Sequence, residues 1–233
     1  MADSAFNATA TASGTLFVTG TDTGVGKTLV SCALLRQARA CGFSAAGFKP
    51  VASGCSHSAD GLRNEDALAL LAESSAGLTY AAVNPIALES AIAPHIAAQE
   101  AGIDIDPLAL TGAYVALAQQ HQRVVVEGAG GWRVPLNAQL GFDDWVAARQ
   151  WPVLLVVGMR LGCINHALLS ADAILRRTRL AGWVANVLPP EQMHWQDNVD
   201  TLRARMPAPL CGIVALGADV SAAAAVLSVP GFI

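Results

Sequence analysis

Short runs rich in Val, Ile, Leu and Phe alternate along this chain with longer amphipathic stretches. That texture is expected of strand–helix–strand units wound into a mainly parallel sheet. Strands are predicted at Thr15–Thr19, Ala45–Lys49, Arg123–Glu127, Val153–Val157, Gly182–Val187 and Leu210–Val214. The runs Val124-Val125-Val126 and Val153-Leu154-Leu155-Val156-Val157 show no polar alternation. A strand covered by helices on both faces has no solvent side to mark, so these are read as central strands. Helices are predicted at Lys27–Ala40, Glu65–Ala72, Pro107–Gln120, Asn165–Arg177 and Asp197–Met206, each with polar residues or Gly and Pro nearby. The stretch from Tyr80 to Asp106 mixes Pro, His and Glu without a clear period, and irregular structure is expected there. No repeat or long linker interrupts the pattern. The reading is a single α/β domain over residues 14–233, preceded by a frayed leader over residues 1–13.

Composition narrows the function classes. With 53% apolar and 14% charged residues the chain is built to bury a core. No run approaches the roughly 18 apolar residues of a membrane helix, so membrane association is not expected. The first 26 residues hold no Lys or Arg, which argues against secretory and transit signals and for a cytoplasmic location. Five scattered cysteines without a C-x-x-C pair indicate neither a disulfide framework nor a zinc site. A net charge of -4 without a Lys/Arg cluster removes nucleic acid as a partner. An anionic ligand must then be held by local groups.

Those local groups are visible. After the first predicted strand comes Gly20-Thr21-Asp22-Thr23-Gly24-Val25-Gly26-Lys27-Thr28, which opens an apolar helix. Glycines let backbone N–H groups converge on phosphate oxygens, Lys27 can reach the β and γ phosphates, and the Thr28 hydroxyl suits Mg²⁺. The strict phosphate-loop pattern would place glycine at position 21, where Thr21 stands. Strand–loop–helix context still makes this a P-loop NTPase-type fold that uses ATP. Glu127 ends an apolar strand and is followed by Gly128-Ala129-Gly130-Gly131; a carboxylate there can hold Mg²⁺ while the small residues leave room for a nucleotide. Lys49 closes the second predicted strand and Ser53 follows it, at the sheet edge where α/β ligands bind. Asn64-Glu65-Asp66 reads first as a helix cap with acidic first-turn residues, Asp66 gaining interest only as a third ligand on the metal side.

Five motifs in order carry a further reading: Thr21-Asp22-Thr23-Gly24-Val25-Gly26-Lys27-Thr28, Lys49-Pro50-Val51-Ala52-Ser53-Gly54, Gly61-Leu62-Arg63-Asn64-Glu65-Asp66, Val126-Glu127-Gly128-Ala129-Gly130-Gly131-Trp132 and Leu161-Gly162-Cys163-Ile164-Asn165-His166-Ala167. Together they resemble the ATP-dependent dethiobiotin synthetases. The resemblance implies a homodimer that closes a ureido ring on 7,8-diaminopelargonic acid with CO₂ and MgATP, through a carbamate and a carbamic-phosphoric anhydride. Carried over, Thr28, Asp66 and Glu127 hold Mg²⁺; Lys27 and Lys49 act on the phosphoryl group; Thr23 and Ser53 meet the substrate. The nucleotide set runs through Gly24, Val25, Gly26, Lys27, Thr28 and Leu29, then Gly128, Ala129 and Gly130. Asn186 with Val187 resembles the adenine side, joined by Ala215, Leu216 and Gly217. Gly162, Cys163 and Asn165 resemble the turn that receives the substrate carboxylate from the partner subunit. Two departures stand out: Gly24 replaces a frequent Glu, and no proline follows the last strand. A switch ATPase, the rival reading, usually has a second lysine where Asp22 stands, and no basic tail follows Asp219.

Overall fold

A computed structural model of the protein describes residues 14–233; the expected leader, residues 1–13, lies outside them. In chain order the strands are β1 (Thr15–Gly20), β2 (Ala45–Phe48), β3 (Val51–Ala52), β4 (Ser56–Ser58), β5 (Gly61–Arg63), β6 (Ile86–Ala87), β7 (Arg123–Glu127), β8 (Val153–Met159), β9 (Leu180–Val187) and β10 (Leu210–Val214). The helices are α1 (Lys27–Ala40), α2 (Glu65–Glu73), α3 (Tyr80–Val83), α4 (Pro94–Glu100), α5 (Pro107–Gln120), α6 (Phe142–Ala147), α7 (Cys163–Leu175), α8 (Trp195–Arg205) and α9 (Val220–Val226). The six strands read from the sequence form one parallel sheet in the order β10-β9-β8-β1-β7-β2.

Why the strands show no polar alternation is plain in the packing. Phe17, Val124, Val126, Val153, Leu155 and Val157 point into one core, with Tyr114 of α5, Ala171 of α7 and Leu202 of α8. Their neighbours Leu16, Val18, Val125, Leu154 and Val156 point into the other, with Leu34 of α1, Leu70 of α2 and Ala223 of α9. Each strand therefore spends its odd and its even positions on separate apolar layers. No helix among the described residues is long and apolar enough to cross a membrane.

Helix ends follow local chemistry. Asp106 caps α5 by accepting the Leu108 N–H at 2.8 Å, with Pro107 at the first helical position. Asn64 caps α2 by accepting the Ala67 N–H at 3.2 Å. The expectation for Tyr80 to Asp106 needs correction, because α3, β6 and α4 lie inside it. Its elements are too short to display a period: β6 has two residues, paired with β3. The helices α6 and α9 lie outside the predicted set, and α7 and α8 each begin two residues before their predicted starts.

At the N-terminal end of the sheet, Thr15 Oγ1 and the Tyr114 hydroxyl share a buried hydrogen bond of 2.8 Å. Replacing Tyr114 with Phe strands the Thr15 hydroxyl away from water, at a cost of about 1–2 kcal/mol. Thermal unfolding of Tyr114→Phe is expected at a midpoint roughly 3–6 °C lower, and an unchanged midpoint would show that Thr15 finds another partner.

Candidate active site

β1 lies between β7 and β8, where the sheet's connections reverse direction, so the loop leaving its C-terminal end opens into the crevice between diverging chains. That loop is the predicted phosphate loop. Thr21 N–H donates to Val156 O at 3.0 Å, tying its first limb to β8. Gly26, φ +90°, turns the chain into α1 in a left-handed conformation that favours glycine. Gly24 also has positive φ, +72°, with open space where a side chain would stand. Val25 is buried in the core, so only its backbone belongs to the loop; its carbonyl accepts a 2.9 Å hydrogen bond from Asn186 Nδ2.

Lys27, the first residue of α1, is nearly buried and donates from Nζ to the Asp22 carbonyl at 3.0 Å. Burial pulls its ammonium below the ordinary lysine value; Glu127 opposes this and Lys49 adds to it. Lys49 follows directly after β2, one residue beyond the strand's end. It is anchored by its own backbone: its N–H donates to Val83 O at 2.8 Å and its carbonyl accepts Asn84 Nδ2 at 2.7 Å. The side chain ends between two carboxylates, 2.6 Å from Glu127 Oε1 and 2.7 Å from Asp66 Oδ2. Burial alone would lower Lys49, but the two carboxylates outweigh it and hold the ammonium above the ordinary value. Asp66 answers in kind: burial would raise it, and Lys49 holds it below the usual carboxylate range. Thr28 Oγ1 donates to Glu127 Oε1 at 3.0 Å.

Lys27, Thr28, Lys49 and Asp66 border a cavity of about 810 Å³. Of the residues read from sequence, Thr23, Gly24, Gly26, Lys27, Thr28, Lys49, Ser53, Asp66, Ala129 and Gly130 line it. Glu127 is fully buried behind Thr28 and Lys49, with Oε2 lacking a hydrogen-bond partner among the described residues. Thr28, Glu127 and Asp66 thus offer a hydroxyl and two carboxylates, an all-oxygen donor set that fits Mg²⁺. Water and phosphate oxygens would complete such a shell.

Other predicted residues lie off this cavity. Leu29 packs toward the core, and Gly128 faces Phe17. Asn186 and Val187 are buried at the end of β9, beneath the phosphate loop; Ala215, Leu216 and Gly217 are exposed after β10. Gly162 and Asn165 are exposed at the start of α7, and Cys163 is buried there. Burial pushes its thiol upward, away from the thiolate.

Sequence reading missed the opposite wall, Ala91–Pro94 with Val134, and the ion pair from Arg160 to Asp22. It also missed the chain Asn64 N–H to Tyr80 hydroxyl to Asn84 Oδ1, both links 2.8 Å, which braces the segment holding Lys49. The i,i+4 spacing of Tyr80 and Asn84 was the one available signal, hidden inside a stretch read as irregular.

A family model described as an AAA domain matches residues 14–224. The chain is 53% identical over 210 residues to an ATP-dependent dethiobiotin synthetase BioD of Pseudomonas paraeruginosa, covering 89% of this chain and 92% of that protein. It is 52% identical over 198 residues to ATP-dependent dethiobiotin synthetase BioD 1 of Escherichia coli K12, covering 84% and 88%. Among solved structures, the signal recognition particle receptor FtsY of Elizabethkingia anophelis superposes with a TM-score of 0.52 at 15% identity. That match covers 94% of this chain but spans 62% of the receptor, and it speaks for the fold alone. With the P-loop fold, the lysine–carboxylate cluster and relatives above half identity along most of its length, the chain belongs to the ATP-dependent dethiobiotin synthetase family.

Proposed function

We propose that this chain, as a cytoplasmic homodimer, closes the ureido ring of dethiobiotin on 7,8-diaminopelargonic acid, using CO₂ and MgATP. One amine adds to CO₂ and loses a proton, giving a carbamate. A carbamate oxygen takes the γ-phosphoryl group and ADP leaves; the second amine then attacks the carbonyl carbon and gives up a proton, and phosphate departs as the ring closes.

No step asks for a covalent enzyme nucleophile, only for positioning and neutralised charge. The phosphate-loop N–H groups and Lys27 hold the β and γ phosphates. Thr28, Asp66 and Glu127 would hold Mg²⁺, which when bound would neutralise phosphate charge. Lys49 balances the charge that grows on carbamate and phosphoryl oxygens, and Thr23 and Ser53 hydrogen-bond the diamine. Asn186 and Val187 with Ala215 to Gly217 serve the adenine side, and Gly162, Cys163 and Asn165 serve the substrate carboxylate of the partner's site.

The observation that carries this reading is the Lys49 ammonium between Glu127 and Asp66, on the wall of the cavity onto which the phosphate loop opens. A switch ATPase usually carries its second lysine within the phosphate loop, where this chain has Asp22, and not between two carboxylates on the metal side. Purified protein given diaminopelargonic acid, bicarbonate and MgATP is expected to release one phosphate per ureido ring, with both products lost when the diamine is omitted or Mg²⁺ is chelated. Phosphate release indifferent to the diamine, without a ureido product, would sink the proposal.

A further inference from the structure

We infer that Asp22 and Arg160 form a latch that positions the phosphate loop, making Arg160 a positioning residue for Lys27; the inference rests on the functional reading above. Arg160 stands just past β8 and its guanidinium reaches the Asp22 carboxylate, 138 residues away in sequence. Asp22 is the hub of the loop. Its Oδ1 accepts the Thr23 N–H at 2.7 Å, its Oδ2 meets Arg160, and its carbonyl accepts Lys27 Nζ at 3.0 Å. Moving Asp22 therefore moves the anchor of the loop's lysine.

The rest of the loop explains why an anchor is needed there. Thr21 is tied to β8, and Val25 is buried and tied to Asn186. Between them Asp22, Thr23 and Gly24 are exposed, and Gly24 adds backbone freedom. Among the described residues, Arg160 is the one residue beyond the loop and α1 that hydrogen-bonds this stretch. Arg160 is itself held in a tight turn: its N–H donates to Gly158 O at 2.9 Å and its carbonyl accepts the Cys163 N–H at 3.0 Å. Arg160 also offsets an aspartate charge that would otherwise repel an arriving triphosphate. Ion pairs this exposed add little to stability, so the latch should be felt in the aim of Lys27 rather than in the melting point.

The test is a double-mutant cycle of Asp22→Asn and Arg160→Gln, read by kcat, nucleotide Kd and thermal midpoint. Each single variant is expected to lose about tenfold in kcat. The double variant should be no worse than either single, with midpoints unchanged, and Arg160→Lys should recover most of the loss. Singles that multiply in the double variant overturn the latch, because each residue then acts alone. So does a rise in nucleotide Kd for Arg160→Gln that persists when position 22 is Asn, which would make Arg160 a direct nucleotide contact. A gain in kcat for Asp22→Asn would reduce Asp22 to a repelling charge and also overturn it. A wild type that releases phosphate without the diamine would condemn the ureido assignment instead, and the cycle would then be read on that phosphate release.

Discussion

Lys49→Ala is expected to lower kcat by about 10²–10³-fold while nucleotide Kd stays within a few-fold of the wild type. The split follows from the proposed role. Charge on the carbamate and the transferring phosphoryl group is greatest in the transition state, so a cation aimed there favours the transition state over bound ATP. The same substitution reaches stability by a second route. Glu127 is fully buried, and its partners are Lys49 at 2.6 Å and the Thr28 hydroxyl at 3.0 Å. Removing the ammonium leaves a buried carboxylate without its cation, costing about 3 kcal/mol. Mg²⁺ at the same carboxylates would restore that charge balance. Differential scanning fluorimetry should therefore show Mg²⁺ raising the midpoint of Lys49→Ala more than that of the wild type, where the ion must compete with Lys49. Equal losses in kcat and nucleotide affinity would move Lys49 to a ground-state binding role. A metal response identical in the two proteins would separate Lys49 from the metal side.

Gly26→Ala is expected to weaken nucleotide binding at least about 100-fold, and the reason is steric before it is chemical. At φ +90° a Cβ is already strained, by roughly 1–2 kcal/mol. Here it would also stand 2.1 Å from Asn186 Nδ2, far inside van der Waals contact. Either the loop or Asn186 must shift, and a shifted Asn186 breaks its 2.9 Å hydrogen bond to the Val25 carbonyl. The loop would lose its N–H convergence, and the proposed adenine contact would move with it. Calorimetric titration with a non-hydrolysable ATP analogue checks the affinity, and thermal unfolding checks that the chain still folds. An affinity within threefold of the wild type would mean that phosphates are bound elsewhere.

How far the site was legible depended on how local its geometry is. The phosphate loop was readable because strand, turn and helix are contiguous: Thr15–Gly20 runs into Lys27–Ala40 with two positive-φ glycines between. Glu127 alone is an ordinary charged strand end; it was readable because the phosphate loop precedes it and the small residues Gly128-Ala129-Gly130-Gly131 follow it. Asp66 shows the limit. Its position beside Asn64 announced a helix cap, and the cap is there, but the carboxylate also pairs with Lys49 from 17 residues away. Local pattern could supply the first role and not the second. Arg160 was silent altogether, since an arginine after a strand is ordinary until its partner is known.

Period, apolar runs and glycine placement act within a few residues of one another, so the six strands of the sheet, the two-sided core and the turn that makes a phosphate loop are written in the local pattern of the chain. Which charges meet is set by the packing of the whole domain. Parallel strands in the order β10-β9-β8-β1-β7-β2 bring the C-terminal ends of β1, β2 and β7 to one edge, and so place Lys49 against Glu127 across 78 residues of chain. Pairings at that range are set by how helices and sheet pack as a whole, and no window of sequence contains them.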